Sequence, residues 1–157
     1  MSESWNEIII IAVLIIINGI LAMSEAALMA SRKARLHQRL NEGDKKMVTV
    51  LHLLEKPNIF LSTVQIGITL ISVLAGAFGG ATIAEALALE LAKIPAVEAF
   101  SQTLALGIVV FVITTLTIWL GELVPKRMAL HSPERIARTV AGPMLFISRI
   151  FSPLVKL

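Results

Sequence analysis

The stretch from Gly121 to Arg127 combines a carboxylate, a proline and two cations, and it directly follows an apolar run. Because proline has no N–H group, Pro125 cannot donate a helical hydrogen bond to the carbonyl oxygen of Gly121. Glycine has no side chain, so another group can approach this oxygen closely. Inside a membrane, the freed carbonyl and the carboxylate of Glu122 must be buried in protein, solvated or bound to a cation. The stretch therefore predicts either a cation site or a kinked helix end in which Glu122 pairs with Lys126 or Arg127.

Two earlier apolar runs also carry oxygen-bearing side chains. In the first run Asn18 and Gly19 are predicted to interrupt the helix, and Ser24 and Glu25 follow in its last third. The second run carries four polar side chains in its first half: Ser62, Thr63, Gln65 and Thr69. A hydroxyl in a membrane helix often bonds only to the carbonyl four residues before it, so a single one is weak evidence. The four together indicate a polar site more strongly.

The composition is typical of a membrane protein. Of 157 residues, 56% are hydrophobic and only 16% are charged. The absence of cysteine excludes disulfides and thiolate metal sites, and three histidines are too few to favour a His-rich zinc or copper site. The basic segment after the first run is better explained by attraction to anionic lipid headgroups than by nucleic-acid binding. We therefore expect the lipid bilayer as a partner and no nucleic acid.

Hydropathy predicts an all-α integral membrane protein that forms a single transmembrane domain over residues 1–157. Because about 20 apolar residues cross a bilayer, the runs predict three transmembrane helices at about 8–30, 59–84 and 100–124. No Lys or Arg precedes the first run, unlike the start of a secretory signal peptide, so the first span is predicted to be retained.

Two further segments are predicted to form amphipathic helices at the cytoplasmic membrane surface. One covers about 32–55 and is broken near Gly43. The other covers about 132–156 and is predicted to break at Pro143 and Pro153, because proline cannot continue the helical hydrogen bonds.

The distribution of basic residues predicts the orientation. Of 14 Lys and Arg residues, all except Lys93 lie between the first two spans or after the third. The positive-inside rule then predicts a multi-pass protein of the cell (inner) membrane, with its N-terminus outside and its C-terminus in the cytoplasm. The polar residues of all three spans consequently lie at similar depth in the cytoplasmic half. Their oxygens suit Mg²⁺, Ca²⁺ or Na⁺, and two carboxylates at low dielectric need a cation or proton between them.

Three ordered stretches resemble the transmembrane domain of the CorC/CNNM family of magnesium transporters. They are Asn18–Leu28, Phe60–Thr69 and Gly121–Lys126, and the resemblance covers nearly the whole chain. It implies a homodimer with three spans per subunit, a cytoplasmic belt of helices, and Mg²⁺ export coupled to Na⁺ moving inward. The family's cytoplasmic CBS domains, which bind ATP, are expected to be absent from this chain.

The resemblance also implies an inward-facing intramembrane Mg²⁺ site. The matching residues are Ser24, Ser62, Thr63, Gly121 and Glu122, with Asn18, Glu25, Gln65 and Thr69 as further lining residues. Gly76 and Gly80 form a small-residue motif that we predict to lie in the dimer contact.

Two other functions were compared with transport. A membrane scaffold that senses Mg²⁺ or regulates another carrier needs the same site, so the sequence does not separate it from a transporter. An intramembrane enzyme is disfavoured, because the chain has no His-Glu-x-x-His, no Gly-x-Ser-x-Gly and no paired aspartates. We therefore predict a chain that is not an enzyme.

Overall fold

Every regular secondary-structure element between residues 2 and 155 is helical. A computed structural model describes the backbone of this range, and the side chains within it except those of residues 2–4, 81 and 152–155. Three stretches are long and apolar enough to cross a membrane: Trp5–Ala30, Pro57–Phe78 and Glu98–His131. The predicted all-α class with three spans is therefore confirmed.

The α-helices are α1 Ser2–Ala30, α2 Lys33–Asn41, α3 Met47–Glu55, α4 Pro57–Phe78, α5 Ala84–Leu91, α6 Ser101–Ile118, α7 Val124–His131 and α8 Pro133–Val155. A π-helical turn, Gly79–Ile83, joins α4 to α5, and a second, Trp119–Leu123, joins α6 to α7. A 3₁₀ turn, Glu98–Phe100, precedes α6. The second and third spans therefore continue past their predicted ends through wider helical turns.

Helix α1 runs without interruption through Asn18 and Gly19, so the predicted break there was wrong. A Cβ atom on Gly19 would lie 3.1 Å from Cγ of Pro125 and 3.3 Å from the carbonyl oxygen of Leu120. Glycine here permits a close approach between α1 and the third span. Burial of both residues in this contact outweighs the low helix propensity of glycine.

Helix α8 is continuous from Pro133 to Val155, so the predicted breaks at Pro143 and Pro153 were also wrong. Pro143 leaves the carbonyl of Thr139 without its helical donor, but Thr139 is exposed and its backbone can be solvated. The opposite face is held by burial of Ala137, Val140, Ala141 and Met144. Position 156, the predicted end of this helix, lies outside the described residues.

Two apolar clusters hold the helices together. The larger joins α2, α3 and α8 to the C-terminal half of α1 and the start of α4, with Leu28, Leu36 and Met47 fully buried. The smaller joins the three spans near the start of α1, around Ile11 and Val109. Helices α2 and α3 meet at Gly43, whose φ of 98° favours glycine. The amphipathic helices thus pack against the end of the bundle that holds Glu25, mainly through α1 and α4.

Candidate cation site

Asn18 satisfies the carbonyl that Pro125 leaves without a helical donor. Its Nδ2 donates a hydrogen bond of 3.0 Å to the carbonyl oxygen of Gly121. A Cβ atom on Gly121 would lie 3.0 Å from the same nitrogen, so glycine makes room for the amide. The contact joins the middle of α1 to the π-helical turn of the third span.

The same amide leaves an acceptor free. Asn18 is 1% exposed, and its Oδ1 is buried without a hydrogen-bond partner among the described residues. A buried polar atom without a partner is costly, and it favours a water or ion beside it. Because Nδ2 must face the Gly121 carbonyl to donate, the hydrogen bond fixes which amide atom is left free.

Asn18 lines a cavity of about 150 Å³ between the three spans. Its polar lining comes from all three, and comprises Asn18, Ser72, Thr114, Thr117 and Glu122. One water needs about 10–15 Å³ of such volume, so the cavity has room for a cation with part of its water shell. Oxygen atoms of amide, hydroxyl and carboxylate type suit hard cations.

Lys126 links two carboxylates at the edge of this cavity. Its Nζ lies 2.9 Å from Oε1 of Glu122 and 3.2 Å from Oε2 of Glu25. The pairing of Glu122 with Lys126 is the one that the alternative to a cation site predicted, and Glu25 from α1 joins it. One ammonium between two carboxylates leaves a net charge of −1, so the group still attracts cations.

The predicted hydroxyl ligands lie in two different environments. Ser24 and Thr63 are fully buried, and each hydroxyl donates to the carbonyl four residues earlier, Ile20 at 2.6 Å and Ile59 at 2.8 Å. Such hydroxyls keep lone pairs that can accept a further bond. Ser62, Gln65 and Thr69 are exposed on the surface of the single chain, and the Thr69 hydroxyl donates to the Gln65 carbonyl.

The structure therefore brings together part of the predicted set. Asn18, Gly121 and Glu122 meet directly or across the cavity, and Glu25 joins them through Lys126. Among the described side chains, no three His, Asp or Glu residues lie close enough to hold a metal ion by themselves. Any cation bound here would rely on one or two carboxylates together with neutral oxygens and water, as Mg²⁺ commonly does.

Four cavity residues were absent from the predicted ligands: Ser72, Gly76, Thr114 and Thr117. The sequence could have indicated them, because residues three or four apart lie on one face of a helix, as Ser72 and Gly76 do, and Thr114 and Thr117. The hydrogen bond from Asn18 to the carbonyl of Gly121 could not be predicted from the sequence, since the two residues are 103 positions apart.

An all-helical chain with three candidate spans and a cavity between them lined by oxygen-bearing side chains belongs to the α-helical membrane proteins as a class. The sequence model of the Cyclin M transmembrane N-terminal domain, CNNM, matches residues 9–157. The chain belongs to this family, whose members are generally cation transporters rather than enzymes. The resemblance found in the sequence is thereby confirmed.

Similar proteins come from several bacteria. A UPF0053 protein of Synechocystis is 46% identical over 96% of this chain and 34% of its own length. A protein of Haemophilus influenzae named polyamine export protein is 31% identical over 98% of this chain and 35% of its own. A polyamine export protein of Escherichia coli K12 is 32% identical, with 96% and 33% covered. The chain thus spans about a third of the length of these relatives.

Proposed function

We propose that this chain exports Mg²⁺ in exchange for Na⁺ moving inward, through a cation site that faces the cytoplasm. The observation that carries the proposal is that Asn18, whose Oδ1 is buried without a partner among the described residues, lines one cavity together with Glu122. Mg²⁺ is held in proteins by one or two carboxylates and keeps several waters. A small oxygen-lined cavity beside a carboxylate pair fits that requirement.

Charge balance supports a divalent cargo. Glu25 and Glu122 share the ammonium of Lys126 when no other cation is present. If the ammonium turns away as a cation enters, the two carboxylates balance two positive charges. Lys126 is partly exposed, so its flexible side chain has space to move. On this account the lysine keeps the empty site from carrying two unpaired charges.

The neutral ligands would come from both sides of the cavity. Asn18, which lines the cavity from α1, carries an acceptor without a partner among the described residues, and Thr114 and Thr117 line the cavity from α6. The carbonyl of Gly121 already accepts from Asn18, and a carbonyl oxygen has a second lone pair for a cation. Ser24 and Thr63 remain proposed ligands that would have to share their hydroxyls with their own helix.

The wild-type protein in liposomes tests the function. Vesicles loaded with Mg²⁺ and containing this chain alone should release Mg²⁺, and an inward Na⁺ gradient should accelerate the release. Saturable Mg²⁺ binding without any flux would instead support the alternative, a Mg²⁺-sensing or regulatory scaffold.

Polyamine export is a second candidate, favoured by the group around Lys126. A lysine side chain ends in a primary alkylammonium, and here that ammonium lies within 3.2 Å of two carboxylates. The end of a polyamine has the same chemistry, and two relatives carry the name polyamine export protein. Vesicles that contain the chain would be loaded with radiolabelled spermidine or with Mg²⁺. Release of spermidine, together with Mg²⁺ release no faster than from protein-free vesicles when Na⁺ is added outside, would select a polyamine over Mg²⁺ as the cargo.

A further inference from the structure

A second carboxylate lies at the start of the first candidate span, far from the candidate cation site. Glu7 is partly buried, and its Oε1 accepts a hydrogen bond from the hydroxyl of Thr82, which belongs to the π-helical turn Gly79–Ile83. Its Oε2 is buried without a hydrogen-bond partner among the described residues. The pair joins residues 75 positions apart, so tertiary packing places them together.

This carboxylate has no cationic partner in the part of the chain that the structure describes, because none of the ion pairs there involves Glu7. The neighbouring core is apolar and contains Ile11, Ile83 and Ala84. A buried carboxylate oxygen in apolar surroundings is costly unless a hydrogen-bond donor or a cation accompanies it.

The group is distinct from the Asn18 cavity. Glu7 precedes Asn18 by 11 residues on one straight helix, which corresponds to about 16 Å along the axis. It lies at the end of the bundle that the basic residues predict to face outside. Each of the two buried polar groups adjoins a π-helical turn, and such turns are frequent at functional sites.

We propose that Glu7 and Thr82 form a second cation site, for an alkali metal ion such as Na⁺. The free Oε2 of Glu7 and the lone pairs of the Thr82 hydroxyl are hard oxygen ligands, which such an ion prefers. One carboxylate neutralises one positive charge, whereas a divalent ion would keep an unbalanced charge in apolar surroundings. The site does not depend on which cargo the Asn18 cavity takes.

Equilibrium binding of radioactive Na⁺ to the purified protein in lipid nanodiscs tests the site without any transport. Glu7→Gln keeps the shape of the side chain and removes the charge, so it should weaken this binding by at least about tenfold. Thr82→Val should weaken it severalfold, because it removes one neutral ligand. Glu85→Gln is the matched control, since Glu85 is an exposed carboxylate on α5, and it should bind like the wild type.

The measurement is repeated in Glu122→Gln protein, so that Na⁺ bound in the Asn18 cavity does not hide the loss. Gel filtration and helical circular dichroism check that each variant is folded, and Thr82→Val provides an independent variant if Glu7→Gln is not. Loss in Glu7→Gln and Thr82→Val but not in Glu85→Gln supports the site. Equal Na⁺ binding by wild type and both variants, or no binding by the wild type, would overturn it and leave Glu7 only as a hydrogen-bond partner of Thr82.

Discussion

Lys126 controls how much negative charge the candidate cation site presents. Removing its ammonium while keeping a side chain of similar length, with Lys126→Met, leaves two carboxylates that share no counter-ion. We expect Mg²⁺ to bind about threefold to tenfold more tightly, a modest change because all three side chains are partly exposed to screening. Isothermal titration of the purified protein measures it. Lys45→Met, in the exposed α2–α3 turn, should have no effect, and weaker Mg²⁺ binding by Lys126→Met would contradict the proposed role.

Asn18 should matter for stability as well as for binding. Asn18→Leu removes the donor to the Gly121 carbonyl and leaves that oxygen buried without its partner. The expected cost is about 1–3 kcal/mol of unfolding free energy, measured by thermal or denaturant unfolding in detergent. Asn41→Leu, at an exposed position at the end of α2, should change stability little. Equal unfolding free energies of the two variants would show that the hydrogen bond does not stabilise the fold.

At the residue level, the sequence indicated which side chains could bind a cation better than it indicated which residues those side chains contact. Glu122 and Lys126 are four apart on one helix, so their pairing could be expected from spacing alone. The contacts of Asn18 with Gly121 and of Glu25 with Lys126 depend on how α1 lies against the third span. Spacing along one helix carries no information about that. For the same reason, the polarity of Ser62, Gln65 and Thr69 did not predict that they are exposed.

At the scale of elements, the contact between α1 and the third span depends on Gly19. Gly19→Ala would place a methyl group 3.1 Å from the Pro125 ring and 3.3 Å from a backbone carbonyl. We expect it to destabilise the fold by about 1–3 kcal/mol, as overpacking does. Gly142→Ala is the control, because nothing lies within 4 Å of its added methyl group; alanine favours the helix there, so that variant should be slightly more stable. A lower melting temperature for the control than for Gly19→Ala would contradict this packing account.

Hydropathy located the spans because it reports length and apolar content, which membrane crossing requires. It did not locate the π-helical turns, since one added residue in a turn leaves composition unchanged and hardly alters periodicity. The prediction from local residue preferences also overstated the helix-breaking effect of Gly19 and Pro143. Local propensities are small compared with the burial of a whole helix face, and here burial prevailed.

At the scale of the whole molecule, the predicted homodimer remains to be tested. An added Cβ on Gly76 would meet nothing within 4 Å, whereas one on Gly80 would lie 3.7 Å from Leu106 of the same chain. Gly76 also lines the cavity of the candidate cation site, so this open space does not by itself indicate a partner, and the dimer contact stays a prediction from the small-residue motif. The chain has no cysteine, so Gly76→Cys introduces a single thiol, and we expect oxidation in membranes to cross-link it into dimers. Gly142→Cys, on α8, should remain monomeric on a denaturing gel. Cross-linking of both or of neither would contradict a dimer contact at Gly76.

The proposed transport requires that a cation cross the membrane through the cavity beside Glu122. The initial rate of Mg²⁺ release from loaded vesicles under an inward Na⁺ gradient tests this requirement. The rate is measured for the wild type, for Glu122→Gln in the cavity and for Glu55→Gln at an exposed position on α3. We expect Glu122→Gln to lower the rate at least about tenfold, since it removes one of the two carboxylates that would hold the cation, while Glu55→Gln should match the wild type. Release by Glu122→Gln at the wild-type rate, in protein shown to be inserted, would contradict the account.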